Sequence, residues 1–334
     1  MQADILTTAW FFLIGFCIIM YVLLDGFDLG VGILFPFFPE RYDRNVMIST
    51  ILPVWDGNQT WLVLGGASLY GAFPKAFSLL LPALYLPIFV MILALLLRGI
   101  TFEFRLKAKK ALAFWDKIFF LSSVVVTFSQ GLVLGTFVKG YTYINGGPEL
   151  SYQLLTPFNI TCGIALLFGY TLLGSTWIIM KTTGELQNKM YRVAAISLVG
   201  VSIGMFIVSL WTPFIDQRIA SIWFSQENFY KLALLPIITM CLILYFAYAI
   251  YKRHEYDLFI LTNAIFFCGY TGFGISTWPY LIPRILPVWD AAAPVTSQLF
   301  MFVGAVILLP VLLGYTAYSY YIFRGKITDI IGYD

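Results

Sequence analysis

Nine apolar runs of about twenty residues each, near 6–24, 51–70, 76–97, 118–138, 157–180, 194–214, 230–251, 258–281 and 297–323, dominate this chain. Each is long enough to cross a bilayer as a helix, and none shows the period-two alternation of a membrane barrel strand. The expected class is therefore an all-α integral membrane protein. Composition agrees: 60% of the 334 residues are hydrophobic and 11% are charged, against roughly 25% charged in an ordinary soluble domain. No Ser- or Gly-rich linker divides the chain, so residues 1–334 read as one polytopic membrane domain. Met1-Gln2-Ala3-Asp4 lacks a basic n-region and the first apolar run continues too far, so no cleavable signal peptide is expected.

The 20 basic residues fall unevenly between the two sets of connections. One side carries 15: Arg41, Arg44, Arg98, Arg105, Lys107, Lys109, Lys110, Lys117, Lys181, Lys189, Arg192, Lys252, Arg253, Arg324 and Lys326. The other carries Lys75, Lys139, Arg218, Lys231 and Arg284. The positive-inside rule puts the first side in the cytoplasm, the N-terminus outside and the C-terminus inside. The inner connection 98–117 contains Phe102-Glu103-Phe104-Arg105, which reads as an amphipathic helix continuing into the headgroups. A net charge of +3 with dispersed basic residues gives no footprint for nucleic acid.

Within this apolar background a few polar residues stand out. Trp55-Asp56-Gly57-Asn58-Gln59-Thr60-Trp61 sets a carboxylate and two amides at the mouth of the second run. A carboxylate in lipid costs roughly 2.5–3.5 kcal/mol on insertion scales, so it asks for a partner or a function. Asp25 and Asp28 end the first run, three residues apart and so on one face if the helix continues, with Gly26 and Gly30 permitting close approach of another helix. Two such acids can hold a proton between them; alternatively both sit at the cytoplasmic interface, where their cost is small. Asp56 belongs near the same membrane face, and three converging acids would form a proton-accepting cluster. Trp115-Asp116 opens the fourth run as another such cluster member or as an interface anchor. Ile51-Leu52-Pro53-Val54-Trp55-Asp56 recurs as Ile285-Leu286-Pro287-Val288-Trp289-Asp290. Helix initiation accounts for both copies: Pro before the first turn, an acid at the positive end of the helix dipole, Trp at the interface. Trp55, Asp116, Trp289 and Asp290 are thus candidate helix-end residues.

What the chain lacks narrows its chemistry. Its one histidine, His254, lies in the basic loop Lys252-Arg253-His254-Glu255, so haem, copper and di-iron ligation within this chain are not expected. Cys17, Cys162, Cys241 and Cys268 all lie in apolar runs without short spacing, and read as core residues. No Walker loop, dinucleotide fingerprint or nucleophile elbow is present. The chain reads as a transporter or as the cofactor-free subunit of a larger complex.

These motifs resemble subunit II of the cytochrome bd quinol oxidases, and in compact length the cyanide-insensitive type. The resemblance is carried by Asp25-Gly26-Phe27-Asp28-Leu29-Gly30-Val31-Gly32, by the Trp55 to Trp61 element, by Arg98 with Phe102-Glu103-Phe104-Arg105, and by Trp115-Asp116. Thr182-Thr183-Gly184-Glu185-Leu186 and Trp289-Asp290 with Ser297-Gln298-Leu299 complete it. It implies nine helices, as two four-helix bundles plus one, in a bacterial cytoplasmic membrane. It further implies a heterodimer with a subunit I that binds haem b and haem d, oxidises quinol at the outer face and reduces dioxygen to water.

The same resemblance gives this subunit a role in assembly and in cytoplasmic proton delivery. Asp56 would lie on the polar route, with Asp25 and Asp28 nearby and Asn58 and Gln59 as relay-capable amides; Trp61 would lie by an oxygen route or serve packing. It leaves room for a structural quinone or lipid in this chain and for small single-helix accessory subunits. A secondary transporter with intramembrane carboxylates is the competing reading, and a scaffold in which every acid caps or packs a helix is a third.

Overall fold

The computed structural model describes residues 2–108, 110–143, 150–151 and 153–327. The chain runs α1 (Gln2–Leu34), a 3₁₀ turn (Phe35–Phe37), α2 (Arg41–Ser49), α3 (Trp55–Ala72), α4 (Pro74–Ala83), α5 (Tyr85–Lys107) and α6 (Leu112–Lys139). It continues through α7 (Pro157–Lys181), α8 (Gly184–Ile215), α9 (Gln217–Phe224), α10 (Phe229–Leu232), α11 (Leu234–Tyr251), α12 (Asp257–Thr277) and α13 (Val295–Ile322). Two short antiparallel ladders, Thr142–Tyr143 with Leu150–Ser151 and Tyr280–Ile282 with Leu286–Pro287, are the strand elements among the described residues. The all-α class expected from the apolar runs holds.

Among the described residues, eight helices are long and apolar enough to cross a membrane. The expected span at 51–70, observed as α3, is not one of them: its first turns are Trp-Asp-Gly-Asn-Gln-Thr, and these polar residues dilute its hydropathy. Several boundaries differ from the sequence reading, among them the start of α8, expected at residue 194 and observed at Gly184, and that of α6, expected at 118 and observed at Leu112. The first span, expected to end at residue 24, continues to Leu34 through both acids. The third, expected over 76–97, breaks at Leu84 into α4 and α5, and α5 then carries on to Lys107. Arg98, expected in an inner loop, is therefore a helical residue, and it is fully buried. The expected helical continuation through Phe102-Glu103-Phe104-Arg105 is present, with Phe102 and Arg105 buried and Glu103 and Phe104 exposed. The outer segment 145–149 and Lys109, both used in the topology reading, lie outside the described residues.

Packing joins α1, α3, α5 and α6 on one side and α7, α8, α11 and α12 on the other, with α13 against α3 and α1. The two groups meet where α1 and α6 both pack on α7. Glycines make that meeting possible. A Cβ on Gly30 of α1 would lie 1.8 Å from the Tyr170 carbonyl oxygen of α7, and one on Gly174 would lie 2.5 Å from the Gly30 carbonyl carbon. The two backbones thus touch directly, as small residues permit where lipid supplies no hydrophobic drive for association. Gly131 of α6 meets Gly163 of α7 in the same way: a Cβ on Gly131 would lie 2.4 Å from the Gly163 Cα.

Two apolar clusters flank this crossing. The larger one centres on Phe27, Met47, Phe102, Phe119 and Trp177, with Phe27 stacked on Trp177 at 4.2 Å. The other joins Trp10 of α1, Phe73, Leu84 and the Ile282 hairpin. Near the latter, Gln298 of α13 is buried; its side-chain amide donates to the Ala293 carbonyl at 2.8 Å, and its own backbone carbonyl accepts from the Trp10 indole at 3.2 Å. These bonds fasten one end of α13 to α1, and its other end reaches the polar site described next.

Candidate functional site

Helix α1 stays helical across Leu24-Asp25-Gly26-Phe27-Asp28 because each acid finds a partner on another helix. Asp25 Oδ1 accepts from Arg98 Nη2 of α5, and both side chains are fully buried. An unpaired charge at such a place would carry a desolvation cost of several kcal/mol, so the pair explains how either residue is tolerated. Asp28 Oδ2, also fully buried, accepts from Asn58 Nδ2 of α3 at 2.8 Å. The same Asn58 nitrogen donates to the Leu24 carbonyl at 3.1 Å, and Asn58 Oδ1 accepts from the Tyr320 hydroxyl of α13 at 2.9 Å. Four helices are thereby drawn onto one polar cluster.

A second polar limb starts one turn before Asp25. Tyr21 accepts from Gln130 Nε2 of α6 at 2.8 Å, and Gln130 Oε1 accepts from the Tyr170 hydroxyl of α7 at 2.6 Å. Between the limbs, Asp25 Oδ2, Asp28 Oδ1, Arg98 Nε and Arg98 Nη1 are buried without a hydrogen-bond partner among the described residues. Buried polar atoms are seldom left so. Two carboxylates with spare lone pairs beside a guanidinium with spare donors form an arrangement able to accept, hold and release a proton.

The other residues singled out by sequence divide clearly. Asp56 is exposed in the first turn of α3, where the helix dipole favours an acid, and its carboxylate has no partner among the described residues. It does not join Asp25 and Asp28. At about 100° per residue, Asp56 and Asn58 point to well-separated faces of α3, and Asn58 is the one turned to α1. Gln59 is half-buried with its Nε2 unpartnered. Trp61, one turn on from Asn58 and so on the same face, is fully buried; its ring meets Phe16 edge-on at 5.6 Å and packs with Cys17 and Tyr21.

Trp55 starts α3 and stacks on Phe102 at 4.6 Å. Asp116 is buried between two arginines, accepting from Arg44 at 2.8 Å and Arg105 at 2.6 Å, so it clamps α2, α5 and α6 together rather than facing an interface. Trp289 and Asp290 lie in a 3₁₀ turn, Trp289–Ala291, ahead of the first residue of α13, Val295. The repeated hexapeptide therefore initiates a helix in its first copy and ends a hairpin in its second.

The family described as "Cytochrome bd terminal oxidase subunit II" matches residues 6–323. This chain belongs to that family. As a subunit II chain it is 26% identical over 363 residues to "Cytochrome bd-I ubiquinol oxidase subunit 2" of Escherichia coli strain K12, covering 97% of this chain and 96% of the relative. It is 28% identical over 340 residues to "Cytochrome bd ubiquinol oxidase subunit 2" of Bacillus subtilis strain 168, with 96% of each covered. The solved structure of bd oxidase from Geobacillus thermodenitrificans shares the fold, at a TM-score of 0.80, 14% identity, and coverage of 95% of this chain and 98% of that one.

Sequence reading of this subunit II missed five members of the site: Arg98, which it put in an inner loop, and Tyr21, Gln130, Tyr170 and Tyr320. Gln130 carried a usable signal, being an amide in the middle of an apolar run. The tyrosines carried none, because aromatic residues are ordinary in spanning helices. Among the described residues no group of three or more His, Cys, Asp and Glu side chains gathers to hold a metal ion. His254 lies between α11 and α12, its Nδ1 2.6 Å from Asp257 Oδ2, away from the buried cluster.

Proposed function

We propose that this chain is the haem-free subunit II of a bd-type quinol:dioxygen oxidoreductase in a bacterial inner membrane. It supports assembly with a haem-bearing subunit I and contributes to cytoplasmic proton delivery as dioxygen is reduced to water. Its family membership and the names of its relatives support the oxidase assignment over a secondary transporter. The observation that carries the proton role is the buried Asp25–Arg98 and Asp28–Asn58 cluster: two titratable carboxylates of one helix held inside a membrane bundle by side chains of three others.

In this reading haem b and haem d belong to the partner subunit, quinol is the substrate of the complex, and this chain provides protein ligands to neither haem. Asp56 is the exposed inner-end acid that collects protons, with Gln59 beside it, and Asp25 and Asp28 form the buried acceptor. Trp61 fills the wall beside Tyr21, on an oxygen route or as packing. The N-terminus faces outward and the C-terminus inward. Membrane lipid, a structural quinone and small single-helix subunits are the further companions this reading admits, and nucleic acid is not among them.

Gentle purification from the native membrane followed by a visible spectrum tests the assignment. Haem bands that depend on a copurifying larger partner support it. A colourless chain isolated alone counts against it.

A further inference from the structure

We propose that Tyr320 is a positioning residue for the Asp28 acceptor, and that the crevice between α3 and α13 is the water access to it. This rests on the proton-delivery reading above and adds an entrance distinct from Asp56. The crevice is lined by Pro53, Val54, Gly57, Asn58, Tyr315, Thr316, Ser319 and Tyr320, and it opens to the exterior of the chain. Its free volume of about 10 Å³ is near the smallest that admits a single water molecule. Two of its lining side chains, Tyr320 and Asn58, form an unbroken hydrogen-bonded link to Asp28.

The direction of those bonds matters. The Tyr320 hydroxyl donates to Asn58 Oδ1, which leaves the Asn58 NH₂ group to face Asp28 Oδ2 and the Leu24 carbonyl. An amide N–H against a carboxylate stabilises the ionised form, which is the form that accepts a proton. An amide turned the other way would place its oxygen against Asp28 and require Asp28 to keep a proton. The Tyr320 hydroxyl holds the productive orientation. Its ring is held in turn by edge-on packing on Trp177 at 6.0 Å and on Phe27 at 6.4 Å. A hydronium ion entering the crevice meets the Tyr320 hydroxyl first, gives up its proton to the Asp28 carboxylate that the Tyr320–Asn58 link keeps ionised, and leaves by the same opening as neutral water.

Tyr320→Phe keeps the ring and removes the hydroxyl alone. In the purified, assembled oxidase it should leave haem content and spectrum unchanged. Quinol-driven oxygen consumption should fall roughly fivefold, the loss expected from one hydrogen bond. The solvent deuterium isotope effect on turnover should rise, which a packing role would not produce. Ser319→Leu, which fills the crevice from its lining and leaves Tyr320 intact, should slow turnover in the same way. Asp28→Asn, measured alongside, separates the two claims. If Asp28→Asn slows proton uptake while Tyr320→Phe and Ser319→Leu both run at the wild-type rate and isotope effect, the entrance is wrong and the proton reading stands. If all three assembled variants match the wild-type oxidase, the proton reading fails and this proposal fails with it. Should Tyr320→Phe not assemble, Ser319→Leu decides: slowed turnover with a raised isotope effect supports the access route, and wild-type behaviour overturns it.

Discussion

Arg98 of α5 and Asp25 of α1 meet inside the helix bundle, 73 residues apart in sequence and both without solvent exposure. Each depends on the other. Arg98→Leu should leave Asp25 as an uncompensated buried charge and cost about 3–5 kcal/mol, seen as reduced recovery of the complex and a lowered thermal midpoint. Replacing both together, Asp25→Leu with Arg98→Leu, should destabilise less than Arg98→Leu alone. Equal or greater loss in the double variant would argue against a compensating pair.

The crossing of α1 and α7 has no room for a side chain at Gly30. Gly30→Ala places a methyl 1.8 Å from the Tyr170 carbonyl oxygen, a clash that only a shift of the whole helix relieves. A loss of about 1–3 kcal/mol or more is expected, as for other overpacked interiors. Gly314→Ala is the control, because a Cβ there meets nothing within 4 Å. Thermal unfolding of the two variants side by side should separate them. Equal midpoints would mean that the helices are not in contact as described.

Beyond the end of α13, Lys326 donates to Glu255 and to the carbonyls of Ile179 and Thr182, pinning the segment after α13 onto α7. Hydrogen bonds from Lys326 and Gln187 hold the Glu255 carboxyl below its usual value of 4.5. A carboxyl lowered by folding contributes stability that is present above its usual value and is lost as pH falls through the lowered one. Lys326→Met should therefore reduce stability at neutral pH and flatten its dependence from about pH 5 into the acid range, as read by thermal unfolding at several pH values. An unchanged acid profile would remove Glu255 from the account.

The positive-inside assignment predicts that Ala108→Cys is cytoplasmic and Lys75→Cys external. With Cys17, Cys162, Cys241 and Cys268 replaced, an impermeant thiol reagent applied to sealed cells should modify position 75 and spare 108. The opposite pattern reverses the orientation.

The helices and their class are legible in the sequence because hydropathy is a local property, summed along the chain. The partners of the acids are not. Hydropathy ends a span at its first charges, so it cuts α1 at residue 24 and puts Arg98 in a loop, although Arg98 and Asp25 neutralise each other across the bundle. Gly26 and Gly30 do announce a close helix contact, and Gly30 makes it with Tyr170 and Gly174. The repeated hexapeptide shows the converse: identical residues start α3 at Trp55 but end a hairpin at Pro287, and only the second copy is closely followed by a proline, Pro294, which disfavours helical backbone at the residue before it. Asp56 is legible as an acid at a helix start, but its face is not, since that depends on which side of α3 meets α1.

Proton uptake from the cytoplasmic side during turnover tests the central claim most directly. In oxidase reconstituted with Asp28→Asn, which keeps size and hydrogen bonding but cannot titrate, haem content and quinol binding should match the wild-type complex. Uptake and oxygen consumption should slow together, and Asp56→Asn should slow both while Asp56→Glu retains more activity. Full turnover and unchanged proton uptake in assembled Asp28→Asn and Asp56→Asn, across the pH range, would contradict a conducting role and leave these acids to helix packing.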